Sequence, residues 1–478
     1  MTEVKENIKK YIDDNAKLFT GVADEIWENP ELSLKEFKSA ALYEKVLREG
    51  GFAVEKGISG METAFSGTYG HGKPVIGILG EFDALSGLSQ QRACPEHSPI
   101  VEGAPGHGCG HNMLGAGSLA AAFAIKNYLE TTGREGTVIF FGCPGEEGGA
   151  GKAFMARDGV WKKLDAALTW HPEDVNEVAS GTNNSSIQIL YTFHGKSAHA
   201  AGDPEDGRSA LDAVELMNTG VQYLREHMTS DCRVHYAILD AGGVSPNVVQ
   251  DHAKVLYMVR ANKVVDSIKL LKRVDKIAGG AAMMTETTYD RLFIDGTAEL
   301  VPNFVLETAL YDNFVENGVP TYTEEELALA TEIHKQCPVV PAPGYGAMFD
   351  EDIRERAEEL SENGTKPMND FLLPLYHSTA FSAGSTDVGD VSWETPTAQI
   401  HVAGFVSGAP GHSWQNVSSG GSTIGYKALL TAGKVLAETA VDLYEKPEVL
   451  AAAKAEFEKR TKSGYVCPIE PDAKPIAL

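Results

Sequence analysis

The first 180 residues contain two kinds of apolar run. Ile8, Tyr11, Ile12, Phe19, Val22 and Ile26 fall largely on one face at helical spacing, and Asn29-Pro30 ends that run. Residues 34–48 predict a second helix, stopped by Gly50-Gly51. Residues 74–79, 137–142 and 166–170 are apolar on both faces and predict buried strands, with an Ala/Leu-rich helix at 112–129 between the first two. This alternation of strand and helix predicts an α/β layer around a mostly parallel central sheet flanked by helices.

Near residue 184 the pattern changes. Residues 187–193 alternate like a half-buried strand, 211–227 read as helix, and 234–239 and 254–260 as strands. A helix at 267–284 and a strand at 289–293 follow. Two helices with about four strands predict a small α+β unit inserted in the larger one. The expected boundaries are 1–183 and 299–478 for the split body and 184–298 for the insert. The stretch 336–384 carries Pro338, Pro341, Pro343 and several glycines, and a loop-rich segment of that length is more often functional than idle. Residues 398–405 predict one more buried strand, and 425–444 a closing helix.

Composition narrows the function classes. With 67 acidic and 41 basic side chains the chain carries a formal charge of −26, which argues against nucleic-acid and anionic-lipid partners. No apolar stretch reaches the length of a membrane span. The charged N-terminal segment lacks a signal-peptide core, and the six cysteines are widely scattered, so a reducing cytoplasm is the expected location.

Four local features carry chemistry. The first is Gly106-His107-Gly108-Cys109-Gly110-His111-Asn112, where thiol and imidazole stand two residues apart among glycines. Such a pair suits zinc and related divalent metals. The second is Gly145-Glu146-Glu147-Gly148-Gly149, directly after a predicted strand. Adjacent carboxylates repel, and a nearby cation relieves that cost. A phosphate loop is excluded there, because Glu146 stands where that pattern needs glycine and Ala153 replaces its hydroxyl. The third is His171 at a strand end, and the fourth is His412 in the loop after the late strand. Taken singly, each histidine has an ordinary structural explanation. Open α/β sheets bind ligands beyond the carboxyl ends of their strands, and all four features map to that edge. One thiolate, three imidazoles and up to two carboxylates exceed the needs of one four-coordinate ion and suit two ions with a shared ligand.

On these residues the chain resembles the dinuclear-metal amidohydrolase and metallopeptidase family that includes carboxypeptidase G, aminoacylase and the auxin-conjugate hydrolases. Further matching pieces are Glu81-Phe82-Asp83-Ala84-Leu85, Ser197-Ala198-His199-Ala200-Ala201, Pro246-Asn247-Val248-Val249 and Ser385-Thr386-Asp387-Val388-Gly389-Asp390. The resemblance implies a catalytic α/β domain interrupted by a smaller α+β lid or dimerisation domain. It implies two divalent metal ions per subunit, zinc or manganese, with cobalt and nickel as alternatives. Carried over by residue, Cys109 bridges the ions, His111 and His171 complete one site, and Glu147 and His412 complete the other. Glu146 is then the general base and acid, His199 stabilises the oxyanion in a partner subunit's site, and Asn247 and Arg260 hold the substrate carboxylate. Asp83 orients a ligand histidine from behind. Glu81 stands where many members have a ligand histidine and is not counted as a ligand.

The implied activity is hydrolysis of the amide of an N-acyl amino acid, with p-aminobenzoyl-glutamate as the leading substrate. Alternatives are a general acyl-amino-acid hydrolase or dipeptidase and, from another class, a catalytically silent partner subunit. The expected assembly is a homodimer or a heteromer with a related A-type subunit. The substrate is an anion, so two metals and Arg260 must supply local positive charge inside an acidic protein.

Overall fold

The computed structural model describes residues 2–476, whose strands form two separate sheets. In chain order they are β1 (Ala53–Lys56), β2 (Phe65–His71), β3 (Val75–Glu81), β4 (Gly136–Cys143), β5 (Ala166–Glu173), β6 (Glu177–Ala179), β7 (Ser185–His194), β8 (Arg233–Asp240), β9 (His252–Ala261), β10 (Thr288–Thr297) and β11 (Thr397–Ala403). The larger sheet has the order β1-β2-β4-β3-β5-β11-β6. Its four central strands, β4-β3-β5-β11, are parallel and correspond to the four apolar runs of the sequence. β1, β2 and β6 add antiparallel margins that the apolar pattern does not reveal. β1 is mostly exposed, β2 contains two glycines and β6 has three residues, so none presents a continuous apolar run.

The first predicted helix is two, α1 (Thr2–Asp14) and α2 (Ala16–Glu28). Asn15 divides them, because its side-chain amide donates to the Tyr11 carbonyl and competes with the helical pattern. α3 (Phe37–Glu49) ends at Gly50, as expected. α4 (His111–Thr132) is buried along nearly its whole length, between the sheet and the helix Thr423–Glu445. The two helices touch through glycines. A Cβ on Gly433 would lie 2.9 Å from Ala120 Cβ, and one on Gly117 would lie 2.9 Å from the Leu429 carbonyl oxygen. α5 (Gly151–Arg157) follows the glutamate pair.

The second sheet is antiparallel, in the order β10-β7-β9-β8, and lies between the two parts of the body in sequence. Alternation on β7 and β9 buries Ile187, Ile189, Tyr191, Phe193, Val255, Tyr257 and Val259 under α6 (Ala210–Arg225) and α7 (Val264–Thr285). β8 forms one edge and is exposed along most of its length. The fold is therefore α/β, with a parallel-cored sheet flanked by helices and a smaller α+β unit inserted. The loop-rich stretch folds into two short helices, Gly346–Phe349 and Glu351–Leu360, and bridges back to residues 176 and 182. Among the described residues no helix is long and apolar enough to cross a membrane.

Candidate metal centre and active site

The carboxyl ends of β3, β4, β5 and β11 converge on one cavity of about 570 Å³. Each group arrives on a backbone feature suited to it. Gly110, at φ +79°, turns the chain into α4, and a Cβ there would strike Pro172, Met113 and Phe405 within 2.8 Å. That turn sets Cys109 and His111 side by side. Gly145, at φ +68°, turns the chain after β4 and presents Glu146 and Glu147. His171 sits near the end of β5, and His412 follows β11 in a left-handed conformation, φ +55°.

Five predicted ligands meet. Cys109 Sγ lies 3.3 Å from His171 Nε2, and Glu147 Oε2 lies 3.6 Å from His412 Nε2. Ligand atoms of Cys109, His111 and His171 lie within 4.8 Å of one another, as do those of Cys109, Glu147 and His412. Cys109 belongs to both groups. Asp83 braces the centre from behind: its Oδ1 accepts from His111 Nδ1 at 2.9 Å, and its Oδ2 accepts from the Glu147 amide at 2.9 Å and from Ser33 Oγ at 2.7 Å. His111 Nε2 is thereby turned into the site, buried and without a hydrogen-bond partner, as is Glu147 Oε1. The main chain does the same for His171, whose Nδ1 lies 2.8 Å from the Pro172 carbonyl and leaves Nε2 to face Cys109.

The electrostatics show a deficit of positive charge. Burial, with Glu81 and Glu147 adding to it, holds the Glu146 carboxyl well above its ordinary range. Burial and the Glu147 charge do the same to the Cys109 thiol. Burial also disfavours an ionised Asp83, but the His111 bond and charge, with the Glu147 amide and Ser33, outweigh it and hold that carboxyl at about 2. Orphaned donor atoms, a soft thiolate shared between two groups and crowded acids together fit a pair of divalent cations.

Arg260 lines the same cavity, reaching the Ala383 carbonyl and Ser385 Oγ at 3.5 Å, with no carboxylate partner among the described residues. His199 and Asn247 lie elsewhere. Both are exposed on the inserted unit, where the segments carrying them pair: the Ala200 amide donates to the Asn247 carbonyl at 3.0 Å. His199 Nδ1 accepts from the Ala201 and Gly202 amides, leaving Nε2 free to donate.

Sequence reasoning missed several supports. Glu36 is fully buried, and its Oε1 accepts from the Gly145 amide at 2.9 Å, which pins the glutamate turn. Lys152 is buried between Glu81 and Asp387. His401, paired with Glu177, lines the cavity wall beyond His171. Glu36 and Asp387 lie far from the turn in sequence, so spacing holds no signal for them.

Residues 77–440 match the model of peptidase family M20/M25/M40. The chain belongs to this family. It is 41% identical over 491 aligned positions to the B-type subunit of the p-aminobenzoyl-glutamate hydrolase of Escherichia coli, covering all of both chains. It is 26% identical to the Xaa-Arg dipeptidase of Mus musculus, over 95% of this chain and 92% of that one. A solved Bacillus subtilis structure, described as a dinuclear metal binding peptidase of the M20 family, superposes with a TM-score of 0.53. Its identity to this chain is 17%, with 91% of this chain and 99% of that one covered. Family membership makes the chain a hydrolase of amide C–N bonds that uses divalent metal ions. A silent partner subunit is not favoured, since the thiol, the imidazoles and both glutamates are all in place.

Proposed function

We propose that the chain hydrolyses the amide of an N-acyl amino acid, with p-aminobenzoyl-glutamate as the leading substrate, releasing p-aminobenzoate and glutamate. The observation that carries this reading is the union, in one cavity, of two ligand groups sharing Cys109, a neighbouring Glu146 and an unpaired Arg260. The full-length likeness to a p-aminobenzoyl-glutamate hydrolase chain supports the substrate.

Cys109 would be common to the two ligand groups that would hold a pair of divalent ions, zinc or manganese with cobalt and nickel as alternatives. His111 and His171 would complete one group, Glu147 and His412 the other. When bound, the ion pair supplies Lewis acidity at the carbonyl and an acidified water. Glu146 takes the proton of the attacking water and returns it to the leaving nitrogen, so its carboxylate must stay free of coordination. Arg260 pairs with the α-carboxylate as a two-pronged donor. His199 Nε2–H stabilises the oxyanion, and Asn247 assists the carboxylate, in the site of a second subunit. Their exposed positions outside the chain's own cavity support that arrangement.

Residues 184–298 act as the lid and dimerisation domain between catalytic segments 1–183 and 299–478. The β8 edge offers exposed Tyr236, Ile238 and Leu239 to a second copy or to a related A-type subunit. The free thiols of all six cysteines agree with a cytoplasmic setting.

A second reading, a general acyl-amino-acid hydrolase or dipeptidase, is favoured by one feature. Arg260 is the only lysine or arginine among the described residues lining the cavity, so none of those residues offers a further cation to a glutamate side chain. A panel of p-aminobenzoyl-glutamate, folate fragments, N-acetyl amino acids and dipeptides on metal-loaded protein separates the two. Highest kcat/KM on p-aminobenzoyl-glutamate is expected. Preference for a non-glutamate substrate rejects that substrate, and inertness towards every member rejects the enzyme.

A further inference from the structure

The carboxylates of Glu81 and of Asp387, from the Ser385-to-Asp390 motif, have no assigned role in the proposed reaction. The structure joins both to a third group of metal-binding type, Glu81, His111 and Glu146, whose ligand atoms also lie within 4.8 Å of one another. Glu81 Oε2 stands 3.3 Å from His111 Nε2. An ion in this group would take Glu146 as a ligand and occupy the lone pair needed for proton transfer.

A cation is already built in there. Lys152, fully buried, places Nζ 2.7 Å from Glu81 Oε1 and 2.5 Å from Asp387 Oδ1, and its own amide donates to Asp387 Oδ2 at 2.8 Å. Asp387 therefore grips both ends of one residue. Burial alone would strip the ammonium of its proton, but Asp387 and Glu81 outweigh burial and hold its pKa well above the ordinary value. The lysine is fixed relative to the base. It lies in the first turn of α5, six residues after Glu146, and a Cβ on Gly151 would come within 2.1 Å of the Pro144 carbonyl oxygen, so α5 is pressed against the start of the glutamate turn.

We propose that Lys152 is the resident cation of the Glu81–His111–Glu146 cluster, neutralising Glu81 so that the cluster recruits no divalent ion and reserving Glu146 for proton transfer. It is a positioning residue, acting through Glu81 and anchored by Asp387. The proposal rests on the two-ion reading above. It also accounts for a carboxylate at a position where many family members have a ligand histidine: the lysine neutralises that carboxylate and closes the cluster to a divalent ion by like-charge repulsion.

Counting bound Mn²⁺ per chain by elemental analysis, beside steady-state rates on the metal-loaded protein, tests this. Wild type holds two ions and takes up no third with excess Mn²⁺. A third ion in wild type overturns the proposal. Lys152→Met gains a third ion, and its kcat falls by about 100-fold while KM stays within about threefold. Adding Glu81→Gln to that variant returns the count to two and restores at least about tenfold of the lost kcat. A Lys152→Met protein that holds two ions overturns the proposal, as does a double variant with no recovery. Glu81→Gln alone leaves the Lys152–Asp387 pair intact and keeps two ions. A fall to one ion makes Glu81 a ligand and contradicts the proposal. If Lys152→Met does not fold, the wild-type count and Glu81→Gln decide the matter. If wild type binds two ions yet cleaves no acyl amino acid, the proposed function falls while the counts still decide the role of Lys152.

Discussion

In the α/β body, candidate groups are held by neighbours from other segments: His111 and the Glu147 amide by Asp83, the glutamate turn by Glu36, and Lys152 by Asp387. In the inserted unit, His199 and Asn247 are tied only to their own neighbourhood and face outward. The contrast points to a division of labour. On the proposed reading the candidate metal ligands and the base are pre-organised within one chain, whereas oxyanion stabilisation would depend on where the insert of another copy arrives.

The largest disruption of the body is Cys109→Ala, which removes the ligand common to both groups. Metal analysis is expected to show loss of bound ions, and turnover falls by at least about 10³-fold. On the insert, His199→Ala is expected to lower kcat by about 10²–10³-fold while leaving ion content intact. Mixing it with Glu146→Gln chains sharpens the comparison. If the histidine acts across subunits, an exchanged one-to-one mixture recovers activity, up to about a quarter of wild type. No recovery places His199 outside the reaction or within its own chain. A smaller effect is expected for Asp83→Asn, which leaves the ligands in place but loosens their backing. Metal affinity falls by about 10–100-fold, and excess metal restores turnover.

The smallest expected effect lies in the body away from the site. Glu438 is fully buried with no hydrogen bond to either oxygen, and burial pushes its carboxyl from 4.5 up to about 7 despite Lys9 at 3.6 Å. Between those values the folded chain keeps a proton that the unfolded chain has released. Stability therefore declines as pH rises through that window and stays lower above it. Glu438→Gln removes this decline, so its stability advantage over wild type grows between pH 5 and pH 8 by on the order of 1–3 kcal/mol. Urea midpoints at the two pH values check this, and turnover at pH 8 is expected to be unchanged.

The legible parts of the sequence share a physical cause. The four parallel strands are buried on both faces and announce themselves as apolar runs, and the chemistry collects at their carboxyl ends, so Cys109, His111, Glu147, His171 and His412 could be assembled from topology. β1, β2 and β6 stayed hidden because marginal strands need no continuous apolar face. Glu36 and Asp387 act over separations of 109 and 235 residues, and no local pattern encodes such contacts. The local pattern around Lys152 imitates a phosphate loop. Its burial between two carboxylates shows why that loop reading fails, since its ammonium is already committed to protein anions.

In the proposed mechanism two adjacent glutamates divide the work, Glu146 as a base that stays off the metals and Glu147 as a ligand. Ion content and kcat of Glu146→Gln and Glu147→Gln, measured side by side on metal-loaded protein, test that division most directly. Glu146→Gln is expected to keep both ions and lose turnover by about 10²–10⁴-fold, while Glu147→Gln loses an ion. Ion loss in Glu146→Gln, or full ion content in Glu147→Gln, would contradict it.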